Sequence, residues 1–136
     1  MSLSGKTFAV RILRNIVPRP HLSFPKNRRL TRAAEFERVK SEGFWQHGKL
    51  LMLGVLHVEQ IGPFRAGFVT SRRLGSAVVR NRVRRRLREL VRRHQQEVRA
   101  SFWIVVIAKS EAARASYHAL EDEWLRLAKR ASILAA

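Results

Sequence analysis

The chain has 136 residues, 46% of them hydrophobic, and carries 28 Lys and Arg against 10 Asp and Glu, a formal net charge of +18. That length suits one domain with enough apolar material for a core, and the charge suits a nucleic acid or an anionic membrane surface. The sequence has no cysteine, which excludes disulfides and thiolate metal sites, and no apolar run reaches the roughly 18 residues needed to span a bilayer.

The first acid is Glu35, and Lys6, Arg11, Arg14, Arg19, Lys26, Arg28, Arg29 and Arg32 all precede it. Residues 1–22 therefore read as a basic, flexible extension that settles on RNA, or as a targeting peptide in a cell with organelles. Pro18, Pro20 and Pro25 keep residues 18–25 out of a helix and put the start of one ordered domain, residues 23–136, near that boundary. Thr31 is placed to cap a helix running to about Glu42, with Ala33, Phe36 and Val39 on one side and Gly43 as the stop. Phe44 to His47 is long enough for a short strand. Leu50 to Val58 is a nearly continuous apolar run, hence a strand, and the Gly62-Pro63 turn leads to another at Ala66 to Ser71. Ser76 is placed to cap a long helix from Ala77 to about Val98. The stretch FWIVVIA, Phe102 to Ala108, is too short and too branched for anything but a buried strand. Ser116 opens a last helix in which Tyr117, Leu120, Trp124, Leu127 and Ala131 follow helical spacing. The order is helix, two or three strands, helix, strand, helix, an α+β domain.

The segment SRRLGSAVVRNRVRRRLREL, positions 71–90, carries the sharpest signal. From Arg72 to Arg93 there are ten arginines and a single acid, Glu89. On a wheel of about 100° per residue, Val79, Val83, Leu87, Leu90 and Val91 share one arc, the face a sheet would cover. Asn81, Arg82, Arg84, Arg85, Arg88 and Arg92 occupy the rest, and Arg80 and Arg86 lie at the arc's edges, where their stems can follow apolar surface. A face that is merely solvated interleaves signs at i, i+4. Here Arg80, Arg84 and Arg88 stack in one row and repel by a few tenths of a kcal/mol per pair. Arg80 and Arg82 also lie near the positive end of the helix dipole, where a cation costs about 0.3–1 kcal/mol. A helix that accepts these costs is kept for an anionic ligand.

Arginine at every basic position from 80 to 93 favours bidentate phosphate contacts and base stacking over loose membrane attraction. The apolar arc is also needed by the sheet, whereas a membrane-surface helix exposes it. Charge does not separate RNA from DNA, but no helix-turn-helix pair or zinc-finger spacing indicates a familiar reader of DNA grooves.

A nuclease using two metals needs converging carboxylates. Glu35, Glu37 and Glu42 on the first helix and Glu121, Asp122 and Glu123 on the last have the spacing of helix surface. His21, His47, His57, His94 and His118 form no ligand-spaced pair, and His57 reads as a half-buried strand residue. The sequence offers no catalytic or metal-binding constellation.

The run Gly67-Phe68-Val69-Thr70-Ser71-Arg72-Arg73-Leu74-Gly75, followed by Ala77-Val78, Arg80-Asn81-Arg82, Arg85, Leu87 and Arg88, resembles the signature of the protein subunit of bacterial ribonuclease P. Phe24-Pro25, Arg28-Arg29-Leu30, the Phe36 helix, the IVVIAK strand and the closing amphipathic helix occur in that family's order, so the resemblance spans residues 23–131. It implies a single-domain α+β two-layer sandwich of αβββαβα order, like the second domain of ribosomal protein S5. It also implies a left-handed βαβ crossover, against the usual right-handed rule. In function it implies a cytoplasmic ribonucleoprotein endonuclease that removes the 5′ leader from precursor tRNA. The catalytic centre would lie in the RNA, with Mg²⁺ held mainly by that RNA and no organic cofactor.

The implied partners are the catalytic RNA and the 5′ leader, with no DNA and no membrane. By position, Arg72, Arg73, Arg80, Asn81, Arg82, Arg85 and Arg88 would meet the catalytic RNA or nearby metal-bound phosphates. Phe36, Phe68 and Thr70 would line a cleft for the leader, although core packing accounts for Phe36 equally well. Ser76 stands where family members often have Asn, and Lys40 where some carry a second cleft aromatic, which makes leader binding more electrostatic. The alternative is a non-catalytic basic RNA-binding protein, a ribosomal component or RNA chaperone, which would bind unrelated RNAs equally.

Overall fold

A computed structural model describes residues 24–135, so the basic extension of residues 1–22 and the prolines Pro18 and Pro20 lie outside the described residues. The elements are α1 (Ala33–Glu42), β1 (Phe44–His47), β2 (Leu51–His57), β3 (Arg65–Thr70), α2 (Ala77–Arg93), β4 (Phe102–Ala108) and α3 (Tyr117–Arg130), the expected αβββαβα order. The sheet runs β1-β2-β4-β3. β1 pairs antiparallel with β2 and β2 with β4, whereas β3 and β4 are parallel neighbours. Parallel neighbours cannot be joined by a tight turn, so the β3–β4 link must cross the sheet, and α2 is that crossover. This is the βαβ unit to which the family resemblance assigns a left-handed path.

β4 is apolar along its whole length because both of its faces are covered. On one face Leu51, Leu53, Ile104, Val106 and Ala66 pack against Val83, Leu87, Leu90 and Val91 of α2 and against Leu120, Trp124 and Leu127 of α3. These helices and the sheet form the two-layer core. On the other face Leu56, Val58 and Val105 meet Leu30 and Val39 of α1, which covers only part of the sheet. The Leu30 N–H donates to the Ala66 carbonyl at 2.8 Å, so the segment before α1 shields the outer edge of β3.

The α2 wheel holds: Val83, Leu87, Leu90 and Val91 are buried, and only Val79 is half-exposed. Ser76 caps α2, its Oγ accepting from the Val79 N–H at 3.3 Å, and Ser116 caps α3 in the same way through Ala119 at 3.1 Å. Several expectations are corrected. Arg32, not Thr31, is the cap residue of α1, because Glu35 Oε1 reaches back to accept from the N–H groups of both Thr31 and Arg32 at 3.0 Å. Ala33 is exposed. α2 stops at Arg93 rather than near Val98, because His94 is drawn towards α3. Its ring stacks on Trp124 with centroids 6.0 Å apart and bonds Glu121 at 2.7 Å, and residues 95–97 turn away. His57 is exposed at the end of β2, with its ring edge-on to Phe102.

Glu123 is not helix surface but buried, 4% exposed, and its carboxylate accepts from the N–H groups of Lys49, Leu50 and Leu51 at 3.1, 2.6 and 2.6 Å. Among the described residues no helix is long and apolar enough to cross a membrane.

Candidate nucleic-acid interface

The arginine face is built from the turn upward. Ser71 Oγ accepts from the Arg73 N–H, a short 3-10 turn follows at Arg72–Leu74, and Gly75 then adopts φ 131°, a conformation that side-chain-bearing residues rarely take. This reversal lets Ser76 start α2 and leaves Arg72 and Arg73 exposed beside its first turn. Along the helix Asn81, Arg82 and Arg85 are exposed, while Arg80 and Arg88 are half-buried at the margins of the apolar arc. Of the seven residues expected to meet RNA, five are thus open to solvent and two partly so, along α2 and the turn before it.

Some of the guanidiniums are aimed by the fold. Arg82 Nη2 donates to the Ala113 carbonyl at 3.0 Å and Arg86 Nη1 to that of Ala115 at 2.9 Å, while Arg84 Nη2 donates to Thr70 Oγ1 at 2.5 Å. Holding the heads in place lowers the entropy lost when a phosphate binds. Glu89, the only acid of the helix, is already bound to Arg92 at 2.6 Å, so none of Arg80, Arg82, Arg85 and Arg88 has an ion-pair partner among the described residues. The Nε atoms of Arg80 and Arg88 are buried without a hydrogen-bond partner. Burial, and then the charges of Arg29, Arg84 and Arg85, lower the pKa of Arg88 from the ordinary arginine value. Arginine stays charged under such pressure, so this cluster of cations is suited to an external anion. Arg29 enters it because its backbone lies against β3, a placement the Arg28-Arg29-Leu30 motif signalled only through its position in the family pattern.

The second surface is a cleft of about 430 Å³ between α1 and the opposite face of the sheet, lined by Phe36, Glu37 and Lys40 of α1, Trp45 and His47 of β1, Met52, Val69, Val105 and Ile107. Two aromatic rings form its working surface, and each lies on a glycine. A Cβ on Gly67 would sit 2.5 Å from Phe36 Cε1, and one on Gly54 would sit 2.6 Å from Trp45 Cη2. Lys40 and His47 are exposed at the rim. α1 is anchored beside the cleft by the Arg65–Glu35 ion pair at 2.6 Å, and the guanidiniums of Arg38 and Arg65 lie over Trp103 at 5.4 and 5.5 Å. Burial pushes the Glu35 carboxyl up, but hydrogen bonds from Arg32, Thr31 and Arg65 outweigh it and hold its pKa below the ordinary value.

Phe36 lies in this cleft, as expected. Phe68 and Thr70 do not. Phe68 packs under α2 with its ring 6.4 Å from that of Phe24, and Thr70 is buried on the same side as the acceptor for Arg84. Strand alternation is the reason: Ala66, Phe68 and Thr70 share the face that α2 covers, and Gly67 and Val69 share the cleft face. Sequence reasoning also missed Trp45, whose signal was an aromatic in a short edge strand facing a glycine-bearing neighbour. Among the described residues no group of His, Asp and Glu side chains is arranged to hold a metal ion.

Residues 24–132 match the family described as Ribonuclease P. The chain is similar to the Ribonuclease P protein component of Syntrophomonas wolfei, 31% identical over 111 residues that cover 81% of this chain and 92% of the relative. It is similar also to the protein of the same name from Acidothermus cellulolyticus, 40% identical over 108 residues, 78% of this chain and 89% of the relative. In three dimensions it resembles the RNase P protein of Staphylococcus aureus, with a TM-score of 0.74 and 25% identity across 79% of this chain and 98% of that one. The matched stretch takes in both the arginine face of α2 and the aromatic cleft, and the chain belongs to the ribonuclease P protein family.

Proposed function

We propose that the chain is the protein subunit of a ribonucleoprotein endonuclease that removes the 5′ leader of precursor tRNA. The observation that carries this reading is the arginine face of α2, on which Arg80, Arg82, Arg85 and Arg88 have no acid partner among the described residues, on a chain of this family. Arg72, Arg73, Arg80, Asn81, Arg82, Arg85 and Arg88 hold phosphates of the catalytic RNA, and the cations screen phosphate repulsion so that the folded RNA needs less Mg²⁺. In this reading the hydrolytic centre and its Mg²⁺ belong to the RNA, in keeping with acids that form no metal-holding group among the described residues.

The cleft takes the single-stranded leader. Phe36 and Trp45 offer π-faces to bases of any sequence, and Lys40 adds a cation for the strand's phosphates. The complex works in the cytoplasm, where precursor tRNA is made.

Cleavage of a precursor tRNA by a bacterial ribonuclease P RNA at low millimolar Mg²⁺, with and without the protein, tests this. Cleavage should appear only with the protein. Arg82→Ala and Arg85→Ala should each lower the salt slope of binding to the catalytic RNA by about one unit, the loss of one phosphate contact. Tight binding of unrelated RNAs with no stimulation of cleavage would point instead to a general RNA-binding protein.

A further inference from the structure

We propose that single-stranded RNA leaving the aromatic cleft continues around the β1–β2 turn onto α3, so that the 5′-distal part of a leader is held by Lys49, Arg126, Lys129 and Arg130. The inference rests on reading the cleft as the leader site. A second hollow, about 1220 Å³, lies between the β1–β2 turn and α3; Leu50 and Leu125 are among its apolar walls, and these four cations stand around it against one exposed acid, Asp122, and the buried Glu123. His47 lines the cleft and Gly48, the next residue, lines the hollow, so the two surfaces meet at one peptide of the turn.

That junction is built to stay in place. Glu123 takes the three successive N–H groups of Lys49, Leu50 and Leu51, and Lys109 Nζ donates to the Gly48 carbonyl. A Cβ on Gly48 would stand 2.5 Å from Glu123 Oε2, so only glycine leaves room for the carboxylate under the turn.

The charge fits a polyanion. Lys49, Lys129 and Arg130 are exposed and form no ion pair among the described residues. Arg126 approaches Glu123 only at 3.7 Å, and that carboxylate is already engaged by the turn. Compensation of the helix dipole accounts for Lys129 and Arg130, which lie in the last turn of α3. It gives no reason for Lys49, which stands on another element at the same hollow. Cations around apolar walls suit a strand whose phosphates face outward and whose riboses and bases face in.

Because the chain has no cysteine, Lys129→Cys carries a single photo-crosslinker. The holoenzyme, assembled with a bacterial ribonuclease P RNA, is presented with precursor tRNAs whose leaders are about 4 and about 16 nucleotides long, the range of single-strand groove sites. Crosslinks should fall on the 5′ part of the long leader and be absent from the short one. The Lys49→Ala, Lys129→Ala, Arg130→Ala triple variant should reduce the salt slope of long-leader binding by about 2, at roughly 0.7 per phosphate contact, and leave short-leader binding unchanged. Crosslinks to the catalytic RNA or the tRNA body, equal losses with both leaders, or an unchanged slope with the long leader would each overturn the proposal. Trp45→Ala separates it from the cleft reading. If that variant weakens both leaders while the triple variant is silent, only the extended track fails; if it weakens neither, the cleft reading itself fails.

Discussion

Replacing Glu123 by Ala should destabilise the protein more than any exposed substitution. The carboxylate is 4% exposed and accepts hydrogen bonds from three backbone N–H groups at 2.6, 2.6 and 3.1 Å. Truncation leaves the buried Leu51 N–H without a partner, at about 1–3 kcal/mol, while the half-buried Lys49 and Leu50 N–H groups recover some water and lose about 0.5–1.5 kcal/mol each. The sum centres on about 4 kcal/mol. At roughly 4–8 °C per kcal/mol for a domain of about this size, Tm should fall by about 16–32 °C. The pairing with Arg126 adds little, since that side chain is 70% exposed. Thermal unfolding followed by circular dichroism reads the effect, and Glu123→Gln, which keeps one acceptor oxygen, should recover about half of it. A Glu123→Ala protein melting within about 2 °C of the parent would show that the turn does not depend on this carboxylate.

Leu87→Ala, at a fully buried position beneath the arginine face, should cost about 2–5 kcal/mol in denaturant unfolding; parental stability would refute the packing of α2 on the sheet. Trp45→Ala should weaken binding of precursor tRNA by about 1–3 kcal/mol, the worth of one stacked base, and leave mature tRNA untouched; equal effects on both would remove Trp45 from leader binding. Burial pushes His94 down, but the hydrogen bonds its ring donates to Glu121 and Glu97 outweigh it and raise its pKa above the ordinary 6.5. The fold therefore favours the charged form. That stabilisation is complete below about pH 6.5 and is lost as pH rises through the raised folded-state value. The stability gap between the parent and His94→Gln should accordingly be wider at about pH 5.5 than at about pH 8.5, and a gap that grows with pH would refute the pairing of a charged His94 with Glu121 and Glu97.

The helices were legible because their burial is one-sided. Val83, Leu87, Leu90 and Val91 recur at helical spacing and all lie against the sheet, so the arginines on the remaining arc had to face outward. The strands were legible as strands but not as faces. β3 is covered by α2 on one side and by α1 on the other, which erases the polar–apolar alternation that would have told Phe68 from Val69. Which residues reached the cleft then depended on where α1 crossed the sheet, a tertiary fact. Trp45 was hidden for a related reason, since its seat on Gly54 follows from the β1–β2 register, in which the two residues pair. Glu123 was readable after all: Leu120, Glu123, Trp124 and Leu127 fall on one helical stripe, and an acid inside such a stripe marks a buried acceptor.

The place of β4 in the sheet bears on how the protein is made. β4 joins the β1–β2 pair to β3, with Leu51 pairing with Ala108 and Arg65 with Trp103. During synthesis the ribosome therefore releases a two-stranded ribbon and a lone strand that have no hydrogen-bonded connection, and a two-stranded ribbon alone is marginal in water. A nascent chain that stops before Phe102 has an aromatic cleft without its Val105 and Ile107 floor, and an arginine helix without its Ile104 and Val106 seat. Pairing across so long a stretch of sequence is slow to form, and the cleft and the arginine face are completed in the same late event. On the proposed function, fragments released early would be poor competitors for the RNA, because a nearly whole chain is required before either surface is complete.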